Sequence, residues 1–290
     1  MRILILGATG MLGYSLFSNL RELKELEVFG TVRNIKGKES FFEDLAHYLI
    51  FNVDVTETTD IERAIASIKP DAVINCIGLI KQHSISKQHV SAIEINALLP
   101  HQIANLCDKY STKLIHFSTD CVFSGKEGLY TEESIPDATD LYGKSKCLGE
   151  IDYAPHLTLR TSIIGHELNS SVSLVDWFLS QSGEVKGFSK AIFSGLPTCY
   201  IAKLLSEHIL KSPELSGLYH LSVAPIDKYT LLKQVAEIYS KEIVINEFTD
   251  FEIDRSLNSQ QLIQKLGLVL PSWPALINYM HNDYVNRYQA

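Results

Sequence analysis

Arg2-Ile-Leu-Ile-Leu6, followed at once by Gly7-Ala-Thr-Gly-Met-Leu-Gly13 and a helix-period stretch to Leu20, decides the architecture of this chain. The first five residues read as a buried strand, the glycines as a tight turn, and Gly10–Leu20 as a helix opening from that turn. Glycines at 7, 10 and 13 let the backbone turn sharply and approach a pyrophosphate, while a helix amino terminus offers free N–H groups and positive potential. Gly7, Thr9, Gly10, Met11, Leu12 and Gly13 are therefore candidate contacts to a dinucleotide.

The same alternation continues outward. Glu27–Val32, Tyr48–Val53, Asp71–Ile77, Lys113–Ser118 and Leu157–Thr161 read as further strands. Helical periods fall at Thr59–Ile68, which Pro70 stops, at Ser91–Tyr110, and around Tyr142. Continuous apolar strands separated by helices imply a parallel sheet covered on both faces. Right-handed crossovers then give an α/β, doubly wound, Rossmann-type layer. Beyond about residue 165 the alternation loosens into helices at Val172–Leu179, Tyr200–Leu210 and Lys228–Tyr239, strands at Gly217–Leu221 and Glu242–Phe248, and a carboxy-terminal helix opened by Pro271-Ser-Trp-Pro274. The expected organisation is a dinucleotide-binding domain over 1–165 and a smaller substrate lobe over 166–290, the two interleaving, with the lobe at the carboxyl edge of the sheet.

Composition bounds the rest. At 290 residues the chain can bury a substantial core, and 46% hydrophobic with 21% charged residues is ordinary for a globular protein. A formal charge of −8 without a basic stripe argues against nucleic acid. No apolar run reaches the roughly 18 residues of a membrane span, and a glycine turn stands where a secretory signal would have its cleavage site. Five scattered cysteines without a Cys-x-x-Cys pair speak against a disulfide framework or zinc site and fit a reducing cytoplasm. Ten histidines form no metal-ligand spacing, so no metal is expected.

Two further blocks carry chemistry. Phe117-Ser-Thr-Asp120 leaves the end of the fifth strand, on the edge where such sheets bind ligands. Thr119 is the first candidate for a hydroxyl bonding a substrate carbonyl, Ser118 the alternative, and Asp120 either orients substrate or caps a turn. Tyr142-Gly-Lys-Ser-Lys146 puts a phenol and an ammonium on one helix face. The ammonium is expected to lower the tyrosine pKa and make it a proton donor and acceptor for carbonyl reduction. A second Tyr-x-x-x-Lys, Tyr229 to Lys233, lacks the upstream hydroxyls and reads as a packed tyrosine with a solvated lysine. After the second strand, Thr31 and Arg33, followed by Lys36 and Lys38, stand where an acidic residue would select NAD; a cation favours the 2′-phosphate of NADP. Asp54 either faces the adenine or serves as a turn residue.

Together, Gly-Ala-Thr-Gly-Met-Leu-Gly, Phe-Ser-Thr-Asp-Cys-Val-Phe-Ser-Gly, Tyr130-x-Glu132-Glu133 and Leu-Tyr-Gly-Lys-Ser-Lys-Cys-Leu-Gly-Glu150 resemble extended short-chain dehydrogenase/reductases, most of all the dTDP-4-dehydrorhamnose reductase (RmlD-like) family. Leu159-Arg-Thr-Ser162, Gly195-Leu-Pro-Thr198, Gly217-Leu-Tyr-His220 and Asn96 extend the resemblance over nearly the whole chain. It implies NADPH-dependent reduction of a nucleotide-linked 4-keto-6-deoxyhexose, with NAD as the alternative cofactor. Tyr142 would be the acid, Lys146 would hold the nicotinamide ribose and tune the tyrosine, and Thr119 would be the hydroxyl partner. Cys76, Gly78, Asn96 and Ser118 join the cofactor candidates. Lys81, Asp120, Cys121, Arg160 and Thr198 are the substrate candidates, with Arg160 equally readable as a structural ion-pair residue. Cys121 and Ser124 depart from the family's usual Tyr and Asp. Asn75-Cys-Ile-Gly-Leu-Ile-Lys-Gln82 replaces its alanine-rich turn, which puts the usual substrate in question. An epimerase or dehydratase of the same fold and a non-catalytic NADP-binding subunit are the rival readings. A symmetric homodimer is the base-rate expectation.

Overall fold

The computed structural model describes residues 1–79 and 88–289; Lys81 and Gln82 lie outside the described residues. The central sheet contains β1 (Arg2–Leu6), β2 (Glu27–Thr31), β3 (Leu49–Ile50), β4 (Ala72–Asn75), β5 (Lys113–Thr119), β6 (Leu157–Thr161) and β7 (Gly217–His220). Their order across the sheet is β7-β6-β5-β4-β1-β2-β3, and every pairing is parallel. The chain reverses its direction of winding between β1 and β4, so a crevice opens beyond their carboxyl ends, where Leu6 stands opposite both Thr31 and Asn75.

β1 shows why these strands read as unbroken apolar runs. Ile3 and Ile5 enter the core on one face, with Ile74, Ile115 and Leu157. Leu4 and Leu6 enter the core on the other, with Val73, Leu114, Ile61 and Ile65. Alternate side chains point to opposite faces, and here both faces are dry. Helices α1 (Met11–Leu20) and α2 (Thr58–Ile68) cover opposite faces.

Two elements depart from the sequence reading. The expected strand Tyr48–Val53 shrinks to Leu49–Ile50, because Asn52 takes a left-handed φ of 58° and turns the chain away. The expected helix Ser91–Tyr110 runs as His89–Ala92, a wide π-type segment Ile93–Leu98, and the helix Leu99–Lys109 (α3). Pro100 has no N–H to give the Asn96 carbonyl, which frees the turn to widen. That carbonyl is then approached so closely by Gly149 that a Cβ there would lie 2.0 Å from it.

The second lobe pairs the strand Glu184–Phe188 with Val244–Phe248, and places Ala191–Phe193 between Ile226–Asp227 and Ile253–Asp254. Its helices include Thr198–Leu204, Lys228–Ile238 and Trp273–Arg287. Thr198–Leu204 packs on α1, and β7 joins the central sheet, so one core runs from Ile3 through Phe178 and Phe193 to Trp273. Among the described residues no helix is long and apolar enough to cross a membrane.

Candidate active site

The glycine turn is built by close approach. Gly7 has φ +87°, and a Cβ on Gly13 would lie 2.0 Å from the Gly7 carbonyl oxygen, so both must lack side chains. The Gly7 N–H donates to Thr31 Oγ1 at 3.2 Å and the Ala8 N–H to the Thr31 carbonyl at 3.0 Å, fixing the turn to β2. Thr9, Gly10, Met11 and Leu12 line a cleft of about 650 Å³; Gly7 and Gly13 shape the turn behind it. No side chain caps α1, no acidic residue sits in its first turn, and a Cβ on Gly10 would meet nothing nearer than 3.6 Å. Free helix-terminal donors on an open floor fit a pyrophosphate.

The facing wall follows β4: Cys76, Ile77, Gly78 and Leu79 line the cleft. Asn96 stands behind it. Its Oδ1 accepts the Leu79 N–H at 2.8 Å, while its Nδ2 donates to the Leu79 carbonyl (3.3 Å) and to Ser145 Oγ (3.2 Å). Asn96 therefore ties this wall to the tyrosine helix instead of facing the cleft.

At the other end stand Ser118, Thr119, Asp120, Cys121, Tyr142 and Lys146. The helix Leu141–Leu148 (α4) starts where the Asp140 carboxylate accepts the Gly143 N–H at 3.0 Å. A Cβ on Gly143 would lie 2.2 Å from the Cys121 carbonyl oxygen, so the glycine lets α4 press against the turn carrying Thr119. Lys146 is buried, and its Nζ donates to the Phe117 carbonyl at 2.8 Å. Burial lowers its pKa to about 8, with Glu150 pulling the other way.

Tyr142 corrects the sequence expectation. Burial pushes its pKa above the ordinary phenol range, the acidic neighbours Cys121, Asp120 and Asp140 add to the rise, and the Thr119 hydroxyl opposes it. The ammonium that was to acidify the phenol is committed to the Phe117 carbonyl instead. The phenol is thus held protonated, ready to donate. Asp120 is buried and also raised in pKa, by burial first, against Arg255 and against hydrogen bonds from Thr119, Cys121 and Ser162. Thr119 Oγ1 donates to Asp120 Oδ1 at 3.1 Å and accepts the Cys121 N–H at 3.1 Å. Burial pushes the Cys121 thiol up to about 12, so it serves as a small neutral surface.

Several expected site residues lie elsewhere. Arg33 is exposed and absent from the cleft lining, and its charge helps to hold the Asp54 pKa down. Asp54 does not line the cleft either: its Oδ1 accepts from the Thr56 N–H (3.0 Å) and hydroxyl (2.8 Å), the turn role. Arg160 is buried in a bidentate pair with Glu150, donating from Nε and Nη2 at 2.7 Å each, and Ser118 Oγ donates to the same carboxylate at 2.6 Å. His220 and the Phe123 ring also border that guanidinium, which makes the ion pair with Glu150 and does not line the cleft. Thr198 is buried against Gly165, where a Cβ would meet its hydroxyl at 2.5 Å. Tyr229 packs on Gly187, and Lys233 is exposed beside the Tyr229 ring.

Sequence reasoning missed Arg255, Lys228, Ser162, Glu167 and Phe193, all on the cleft wall. Ser162 carried a signal, being the last residue of the Leu159-Arg-Thr-Ser162 block. Arg255 and Lys228 carried none, because the folding of the second lobe alone brings them to the first.

Residues 1–250 match the family described as RmlD substrate binding domain. The chain belongs to this family. It is 24% identical over 310 residues to dTDP-4-dehydrorhamnose reductase of Escherichia coli, covering 98% of each chain. It is 31% identical over 147 residues to the probable low-salt glycan biosynthesis reductase Agl14 of Haloferax volcanii, spanning 50% of this chain and 46% of that protein. Methionine adenosyltransferase 2 subunit beta of Rattus norvegicus is 24% identical over 260 residues, covering 82% of this chain and 72% of its own. The crystal structure of dTDP-4-dehydrorhamnose reductase from Bacillus anthracis in complex with NADP superimposes with a TM-score of 0.78 at 20% identity, over 97% of this chain and 99% of that one.

Proposed function

We propose that this RmlD-family protein is an NADPH-dependent reductase of the 4-keto group of a nucleotide-linked 4-keto-6-deoxyhexose. The observation that carries this reading is the convergence of Thr119, Tyr142 and Lys146 on the end of the cleft whose floor is the glycine turn. A nicotinamide cofactor bound there supplies the hydride for the carbonyl carbon. The protein's own residues manage the charge that then develops on oxygen. Tyr142, held protonated by burial, gives its proton to that oxygen. Thr119 and the Lys146 ammonium stabilise the negative charge from fixed positions. Arg255 and Lys228 add two cations from the second-lobe wall, suited to a nucleoside diphosphate.

The test is NADPH consumption by the purified protein across dTDP-, UDP- and GDP-linked 4-ketosugars. Stoichiometric oxidation with one of them is expected. An epimerase or dehydratase would turn the sugar over without net NADPH loss. The similarity to methionine adenosyltransferase 2 subunit beta favours a second reading, a cofactor-binding subunit that serves another enzyme. No turnover on any of these sugars, together with stable co-purification of a partner enzyme, would establish that reading instead.

A further inference from the structure

We infer that Lys38, and not Arg33, is the residue that receives the 2′-phosphate of the adenosine ribose. The inference rests on the reading of the glycine-turn cleft as an NADP site, but on no assumption about the sugar.

At the end of β2, where a ribose contact is expected, Thr31 is buried and its hydroxyl is engaged by the Gly7 N–H. No acidic side chain stands there. Arg33 and Lys36 are exposed and do not line the cleft. The loop beyond them folds back, and Lys38 lines the cleft together with Thr9, Gly10 and Met11. Its ammonium donates to the Thr9 carbonyl at 3.0 Å, on the phosphate turn itself. Lys38 makes no salt bridge among the described residues, and there the Thr9 carbonyl takes one of its three N–H donors and leaves two for a ligand.

The second lobe holds this loop in place. Asn169 Nδ2 donates to the Gly37 carbonyl, and Glu167 faces Lys38. Burial lowers the Lys38 pKa while Glu167 raises it, so the ammonium sits in a partly dry site where an anion gains most. Glu167 is tied to its own loop: Oε2 accepts from Ser170 Oγ at 2.8 Å and from the Val172 and Ser173 N–H groups at 2.8 and 3.1 Å. Lys38 is thus the cation that a 2′-phosphate placed beside the turn would meet first.

The experiment is equilibrium binding, by calorimetry or fluorescence, of NADPH, NADH, adenosine 2′,5′-bisphosphate and 5′-AMP to the wild type, Lys38→Met and Arg33→Ala. Lys38→Met keeps the aliphatic stem, and NADH binding reports that the variant is folded. The expected result is a loss of about tenfold or more for the two 2′-phosphorylated ligands in Lys38→Met, the size of one charge-assisted contact. NADH and 5′-AMP should change by less than about twofold, as should all four ligands in Arg33→Ala. Loss of 2′-phosphate preference in Arg33→Ala with none in Lys38→Met would overturn the inference. Equal wild-type affinity for NADPH and NADH would also overturn it. Absence of all dinucleotide binding would instead refute the cleft reading beneath it.

Discussion

Glu150→Gln separates the electrostatics of the site from its architecture. Glu150 follows α4 and lies four residues after Lys146, with Arg160 bidentate upon it and Ser118 as a third donor. The paired side chains are only 7% and 5% exposed, so the pair is nearly dry. Removing one charge from such a pair costs about 3–5 kcal/mol, because the other charge is left buried and uncompensated. Glutamine retains one acceptor oxygen, which places the expected loss near ~3 kcal/mol. At about 2–4 °C per kcal/mol for a large domain, the melting midpoint should fall by roughly 6–12 °C. Glu150 also raises the Lys146 pKa against burial, so its neutralisation should move that pKa below about 8. The assay is a thermal melt together with the pH profile of kcat/KM, which reports groups of the free enzyme. In the reductive direction the protonated ammonium is needed, so activity present below the Lys146 pKa is lost as pH rises through it. The alkaline limb should therefore move to lower pH in Glu150→Gln. Arg160→Met leaves Glu150 unpaired and should move the same limb to higher pH while destabilising comparably. A shared limb in both variants, or an unchanged melt in Glu150→Gln, would refute the reasoning.

Tyr142→Phe should lower kcat by about 10²–10⁴-fold, the worth of a positioned acid, with NADPH binding retained in a titration. In the wild type, kcat/KM should decline above pH 8, where Lys146 titrates, and show no separate limb from the phenol below that, since burial raises Tyr142. Gly143→Ala puts a methyl 2.2 Å from the Cys121 carbonyl oxygen and 2.5 Å from the Ala138 Cβ. It should cost about 1–3 kcal/mol in denaturant unfolding. A displacement of α4 by about 1 Å would cost kcat about 10²-fold, so a fully active Gly143→Ala would show that the close contact does not position Tyr142.

Much of the fold was legible because its causes are local. The apolar runs of β1, β4 and β5, the glycine turn and the proline stop after α2 each express a short-range rule of backbone or burial. The Rossmann order follows from those elements and the handedness of crossovers. That Thr119, Tyr142 and Lys146 would meet on one cleft wall was legible because two segments near in sequence end on the same sheet edge. Arg160 was legible only as a choice between two roles, and the structure shows its bidentate contact with Glu150.

What the linear chain determined, then, is which strands form the sheet and which strand ends bring Thr119, Tyr142 and Lys146 to the cleft. Three-dimensional packing decided the rest, because charge states and long-range neighbours belong to the folded interior. Desolvation of Tyr142 reverses the pKa shift that a helix-face argument predicts, and the Lys146 ammonium is drawn to the Phe117 carbonyl on β5, which no spacing along the helix announces. Lys38 folds back to the phosphate turn while Arg33 stays exposed, and Arg255 arrives from the far lobe. None of these placements is encoded within a window of neighbouring residues; each is set by how two lobes close on one sheet edge.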